Sequence, residues 1–333
     1  MGDLFYSRDT GLQGRGGVGG ISRSAGINDE YAALVGAMFL EEKVAPFNLV
    51  YFFKGDSIAH HKGLDAQREY VATLDAYVAG MFEAAGGEEK LLEEYAVIAL
   101  ADHGHTPLLT NKRRYIHLGR ILGEGTSVGA RAGFGPGVEV VAVPNGRSAL
   151  LYLPEGAPDE DREALVEKVL SRRGIDVAAW SDGEWAVARR AGKELWFRPD
   201  EGGDAPRDAA GRRWEISGDP TALEIEVLEG EILYGEYPDA LERLWGCVRS
   251  ERCGDVVLSA SPGYTFGEVS GKFHVESDHG SLHASDSNVF VIAAGLPEGM
   301  EVPRRITDVA PALLEHFEGG PPTLSGVAER RVS

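Results

Sequence analysis

Two short apolar runs constrain this chain most, because both break off into charged and metal-ligating side chains. Leu49-Val50-Tyr51-Phe52-Phe53 is followed by Lys54-Gly55-Asp56, and Ala96-Val97-Ile98-Ala99-Leu100 by Ala101-Asp102-His103-Gly104. Continuous apolar runs of this length predict buried strands. Between them, Leu64, Val71, Leu74, Val78 and Met81 share one face of a predicted helix that Gly86-Gly87 ends. Strand, helix, strand predicts a parallel α/β unit, whose active site lies at the carboxyl ends of the strands.

The rest of the chain supplies the layout. Asn28-Asp29 caps a predicted helix carrying Tyr31, Leu34, Val35, Met38 and Phe39, and residues 88–94 form a short charged helix. Residues 119–137 hold seven glycines and read as a long loop. From 138 to 236 the pattern becomes short alternating segments, at 138–143, 148–153, 185–189, 194–198 and 223–227, with a helix over 159–171. Residues 199–213 read as a hairpin tip or mobile loop, and 1–28 as an irregular arm. After Pro238-Asp239 a helix runs to Val248. Val256-Val257-Leu258 and residues 289–293 return to the buried-strand style, and Thr307-Asp308 starts a last helix to Phe317. The predicted fold is α/β, a mostly parallel sheet flanked by helices. Its discontinuous core is 1–137 plus 238–333, and 138–237 is an inserted α+β module.

Composition removes several functions. Asp plus Glu is 53 against 33 for Lys plus Arg, a net charge of −20, so neither a nucleic-acid groove nor binding to an anionic membrane surface is expected. Cys247 and Cys253 are the only cysteines, too few for a disulfide framework or a cysteine zinc cluster. No apolar run reaches a transmembrane length and no signal peptide is visible, so a soluble chain, cytoplasmic by default, is expected. Glycine-rich 14–20 lacks the lysine and hydroxyl of a phosphate loop, and Ser57, Ser259 and Ser285 lack a nucleophile elbow. Arg147, Arg172, Arg173, Arg189, Arg190, Arg212 and Arg213 read first as surface charges and second as phosphate contacts.

The histidines carry the chemistry. Asp56 and His60 are four apart after one apolar run, Asp102 and His103 are adjacent after the next, and Asp278, His279 and His283 precede the run at 289. Imidazole with carboxylate suits zinc, or failing that iron or manganese. His61, His105 and His283 read as groups that orient the ligands or as plain loop histidines. His117, His274 and His316 receive no role.

These segments resemble the alkaline phosphatase superfamily, in its type I phosphodiesterase/nucleotide pyrophosphatase branch. Asp56-Ser57-Ile58-Ala59-His60-His61-Lys62-Gly63 is similar to its Asp-x-x-x-His-x-x-Gly segment. Ala101-Asp102-His103-Gly104 is similar to its Ser-Asp-His-Gly motif, with Ala101 in the serine place. Ser277-Asp278-His279-Gly280-Ser281-Leu282, leading to Asp286, resembles its late His-Gly segment, and Ile306-Thr307-Asp308-Val309-Ala310-Pro311 its closing helix. The resemblance covers about 28–115 and 238–325. It implies a two-metal phosphoric ester hydrolase: one zinc on Asp56, His60 and His279, the other on Asp102 and His103. A further aspartate and a Thr or Ser nucleophile are expected upstream, where only Asp9-Thr10 offers itself. His61, His105, Asp278, His283 and Asp286 are implied as supporting side chains. With the nucleophile unidentified, the chain reads as an N-terminally incomplete piece of a longer enzyme for small phosphate or sulfate esters. The alternatives are an inactive metal-binding homologue, or a phosphomutase, phosphonate hydrolase or sulfatase-type relative.

Overall fold

The computed structural model describes residues 28–267 and 276–318. The arm at 1–27, with Asp9-Thr10 and the glycines at 14–20, and His274 lie outside these residues. The chain divides into two compact units. One comprises Met1–Ile58, Asp65–Asp102 and Phe290–Ser333, the other Ala59–Leu64 and His103–Val289.

The first unit is built around helices. Asn28 caps the helix Asp29–Glu42 by accepting the Glu30 amide, as the sequence predicts. Asp29 is buried because it has work elsewhere: its carboxylate accepts the amides of Phe53 (3.1 Å) and Lys54 (3.3 Å) and the Tyr70 hydroxyl (2.9 Å). Those two amides open the helix Lys54–Lys62, so a carboxylate sits where unpaired helix donors need an acceptor. The long helix Leu64–Ala84 follows, then Glu88–Glu94.

The run Leu49–Phe53 is not a strand. It is an unladdered approach to the helix, with Leu49 83% and Tyr51 61% exposed. Val97–Leu100 is a strand, yet it pairs antiparallel with Val291–Ala294, Val97 opposite Ala294. The predicted parallel strand–helix–strand unit is therefore absent from the described residues.

The second unit holds an eight-stranded sheet. Its order is Trp214–Gly218, Lys193–Pro199, Trp185–Arg190, Ile175–Asp182, Val256–Ala260, Ser148–Tyr152, Val140–Asn145 and Thr126–Val128. Every neighbouring pair is antiparallel except the last, Val140–Asn145 with Thr126–Val128. The expected mostly parallel sheet is thus corrected to a mostly antiparallel one within an α/β architecture. Part of the reason is local: three of the antiparallel pairs are tight hairpins, closing between Asn145 and Ser148, Asp182 and Trp185, and Arg190 and Lys193. Gly183 turns Asp182 back to Trp185, and Ala191-Gly192, both at positive φ (52° and 75°), turns Arg190 back to Lys193. A hairpin can only join antiparallel neighbours.

Side chains alternate across this sheet with period two. Ala178 and Trp180 face a core that includes Leu165, Val166 and Val169 of the helix Asp159–Leu170. Val177 and Ala179 face the opposite core, which takes Leu241, Leu244 and Val248 of the helix Ala240–Val248. The predicted loop at 119–137 contains the end of the helix Leu118–Leu122 and the strand Thr126–Val128.

Candidate metal centre

One hairpin tip of the large sheet carries the site. Between Asn145 and Ser148 the chain turns through Gly146 (φ 58°) and Arg147, and the Arg147 amide donates to the His279 carbonyl oxygen at 2.8 Å. A Cβ on Gly146 would lie 2.7 Å from that same oxygen, so only glycine lets the tip approach. Thr106–Pro107 then pairs with Ser277–Asp278, which sets the chain after His105 beside the chain before His279.

The imidazoles converge. The rings of His103 and His279 stack with centroids 3.6 Å apart and planes 13° from parallel. His60 lies 4.8 Å from His105 and 5.1 Å from His279, and His105 lies 5.0 Å from His279. Ligand atoms of His103, His105 and His279 fall within 4.8 Å of one another, as do those of His60, Asp278 and His279.

Hydrogen bonds fix which ring nitrogen faces where. His60 Nδ1 donates to the Ser277 carbonyl at 2.9 Å, and His103 Nδ1 to the Gly104 carbonyl at 3.0 Å. Ser277 Oγ spends its proton on the Ala59 carbonyl (2.7 Å), so at 3.2 Å it accepts from His105 Nδ1. Each of these three rings thereby keeps Nε2 as its lone-pair nitrogen. Committing one nitrogen to a carbonyl or hydroxyl is how proteins orient imidazole toward a metal. The donor set therefore fits a divalent ion of the zinc class.

The remaining expected residues sort by place. Asp56 lies in the first turn of the helix that carries His60 one turn later, and belongs with Asp102 to the first unit. There burial, then the Asp102 and Asp56 carboxylates, push the Tyr51 phenol upward, and Asp102 accepts its hydrogen bond. Asp278 is buried, with Oδ1 accepting the His279 amide at 2.9 Å and Oδ2 the Thr265 hydroxyl. Its Oδ1 lies 3.8 Å from His60 Nδ1, farther than the Ser277 carbonyl that holds that nitrogen. His61 is exposed on its helix. His283 caps the helix Ala284–Ser287 by accepting the Ser285 amide at 3.1 Å, with Nε2 3.4 Å from Glu236.

Asp286 has a different task from a ligand. Fully buried Arg147 donates to it, as do the Thr106 hydroxyl and the Ser281 amide (2.8 Å), while the Asp286 carbonyl accepts the Gly104 amide at 2.8 Å. Arg147 also donates to the carbonyls of Tyr264 (3.1 Å) and Ala260 (3.3 Å). The pair clamps the His103–His105 loop to the segment after His279. Arg147 is thus neither a surface charge nor a phosphate contact. Arg189, Arg190 and Arg212 are ion-paired, to Glu163 and Glu194, to Asp176 and Glu224, and to Glu242. Sequence reasoning missed Ser277, Thr106, Thr265 and Arg147 as builders of the site. Ser277 alone carried a signal, being part of the Ser-Asp-His-Gly run.

Among the described residues, no helix is long and apolar enough to cross a membrane. No curated protein matches the chain. Among solved structures, phosphonoacetate hydrolase from Sinorhizobium meliloti 1021, in complex with phosphonoformate, aligns with a TM-score of 0.43 and 16% identity, over 83% of this chain and 52% of its own. This chain therefore spans about half the length of that structure. The family profile of type I phosphodiesterase / nucleotide pyrophosphatase matches residues 19–282. With the histidine constellation in place and the match running over most of its length, the chain belongs to the type I phosphodiesterase / nucleotide pyrophosphatase family, of the alkaline phosphatase superfamily.

Proposed function

We propose that this chain carries the metal-binding portion of a zinc-dependent phosphoric ester hydrolase. One observation carries the reading: imidazoles from three distant segments meet with Nδ1 of His60, His103 and His105 each committed as a donor. The ligands proposed from the family's motifs are Asp56, His60 and His279 for one ion and Asp102 and His103 for the other. Bound zinc supplies Lewis acidity toward a phosphoryl oxygen. The protein's own part is to hold those ligands rigidly. The Ser277 carbonyl fixes the His60 ring, the Gly104 carbonyl fixes His103, and Arg147 with Asp286 holds the loop between His103 and Thr106 in place. The attacking group is not assigned among the described residues. A small phosphate mono- or diester is the substrate class that this acidic protein admits, since a cation offsets the local carboxylates.

The test is turnover of bis-p-nitrophenyl phosphate and p-nitrophenyl phosphate by zinc-loaded protein, beside Asp102→Ala and His103→Ala. Zinc-dependent release of nitrophenol that falls by about 100-fold in either variant supports the reading. Turnover indifferent to both changes contradicts it. Zinc binding with no turnover of either ester reduces the protein to a metal-binding relative.

A further inference from the structure

We propose that Cys247 and Cys253 form a redox-active dithiol, a modification site that a small disulfide of the glutathione class oxidises to an intramolecular disulfide. The site goes beyond the hydrolase reading and does not depend on it. Both thiols lie within residues 103–289, as do the side chains and backbone that hold them, and neither belongs to the histidine constellation.

The chain has two cysteines, and local structure brings them together. Cys247 lies in the last turn of the helix Ala240–Val248. Two successive turns then fold the chain back: the Ser250 amide donates to the Cys247 carbonyl at 3.1 Å, and the Cys253 amide to the Ser250 carbonyl at 3.0 Å. The sulfurs end 3.8 Å apart, a short approach from the bonding distance of about 2 Å. Cys253 is held from both sides. The Tyr152 hydroxyl donates to the Arg252 carbonyl at 3.2 Å, and a Cβ on Gly254 would lie 2.6 Å from the Leu151 carbonyl oxygen. The backbone around Cys253 is thus pressed against the strand Ser148–Tyr152. Neither cysteine belongs to either buried core, so packing does not account for the pairing. Both thiols are half-buried, and Arg249, Ser250, Glu251 and Arg252 between them are exposed, which leaves the pair open to a small molecule.

The two sulfurs divide the chemistry. The Cys247 thiolate attacks one sulfur of the small disulfide, whose S–S bond breaks. One small thiolate leaves and takes a proton from solvent, and a mixed disulfide stays on Cys247. The hydrogen bond from Cys253 that favours the Cys247 thiolate also keeps the Cys253 proton in place. Consuming the thiolate removes that restraint. Cys253 then gives its proton to solvent and attacks the Cys247 sulfur, and the second small thiol leaves. Two electrons pass from the cysteine pair to the small disulfide, which ends as two thiols. The new bond ties the end of the helix to the chain entering Val256–Ala260, the strand between Ile175–Asp182 and Ser148–Tyr152.

The test equilibrates the full wild-type chain in glutathione buffers of graded ratio, folded and in denaturant. Acid and N-ethylmaleimide then trap free thiols for peptide mass spectrometry. Thiols six positions apart also meet in an unfolded chain, so the comparison isolates what the fold contributes. The folded pair should close its disulfide with an effective concentration at least about 10-fold above that of the denatured chain. Cys253→Ser should accumulate the mixed disulfide at Cys247, and Cys247→Ser should react with glutathione disulfide at least about 10-fold more slowly than wild type. Circular dichroism confirms that both variants fold; where one does not, the wild-type comparison decides alone. A folded pair that oxidises no more readily than the denatured one overturns the proposal. So does glutathione retained on both cysteines of the wild type, or a disulfide formed between chains instead.

Discussion

His60 Nδ1 lies 2.9 Å from the carbonyl oxygen of Ser277, 217 positions later in the chain. The acceptor is backbone, so no substitution at Ser277 removes it. The serine hydroxyl, by contrast, is what donates to the buried Ala59 carbonyl at 2.7 Å. Ser277→Ala should therefore keep the His60 bond but leave the Ala59 carbonyl with the Gly63 amide (3.2 Å) as its remaining donor, a loss of about 0.5–1.5 kcal/mol. Urea unfolding of the metal-free protein measures it, and a midpoint equal to wild type would contradict the assignment of that bond.

Arg147 and Asp286 test the clamp that holds the site together. Both side chains are at most 1% exposed, and Arg147 also serves two carbonyls. Burial works to lower the affinity of Arg147 for its proton, and Asp286 opposes that. Arg147→Met strands a buried carboxylate and should cost about 3–5 kcal/mol. Denaturant unfolding checks the size. A loss below about 1 kcal/mol would place the pair nearer water than described.

Two glycines near the site should behave oppositely. A Cβ on Gly104 would lie 2.4 Å from the Ser285 carbonyl oxygen, a backbone atom that cannot swing aside. Gly104→Ala should destabilise the protein and lower its zinc affinity together, because the displaced loop carries His103 and His105. Gly55, in the first turn of the helix Lys54–Lys62, has nothing within 4 Å of its Cβ position. Gly55→Ala should be neutral, or stabilising by about 0.5–1 kcal/mol through lost chain entropy. Thermal melts and zinc titration of both variants make the comparison.

Cys247 and Cys253 give a pH prediction. Their sulfurs are 3.8 Å apart, and the hydrogen bond from Cys253 lowers the Cys247 thiol to about 7 while the Cys253 thiol is pushed up. The thiolate is the nucleophile, so lowering its pKa raises reactivity at neutral pH. Iodoacetamide alkylation of Cys247 should rise through pH 7 and level off above it. In Cys253→Ala the inflection should move up toward an ordinary thiol, and an unmoved inflection would reject the hydrogen bond as its cause.

Much of the candidate site was legible because its signals are local. Asp56 and His60 are one helical turn apart whatever precedes them, and His103-Gly104-His105 is a tight loop in any sheet. Strand direction is not local. The run at Val97 is apolar enough to be a strand, but its direction is set by Val291–Ala294, which no nearby residue announces. Leu49–Phe53 looked buried because it is apolar, yet among the described residues no ladder receives it. The large sheet's hairpins were readable from their alternation and glycine turns; Ile175–Asp182 was not, because a strand buried on both faces lacks alternation. Arg147 was hidden for the reverse reason. An arginine in an acidic chain suggests solvent, and its partner Asp286 lies 139 positions away.

The central claim is that the converging histidines hold a metal that hydrolysis needs. Its most direct test is zinc content after equilibrium dialysis against zinc-buffered solution, measured with bis-p-nitrophenyl phosphate turnover on the same samples, for wild type and His279→Ala. His279 is proposed as a ligand together with Asp56 and His60. At least one zinc per wild-type chain is expected, with a clear loss of zinc in His279→Ala and turnover that falls with it. Wild-type protein holding well below one zinc per chain, or His279→Ala keeping both its zinc and its turnover, would contradict it.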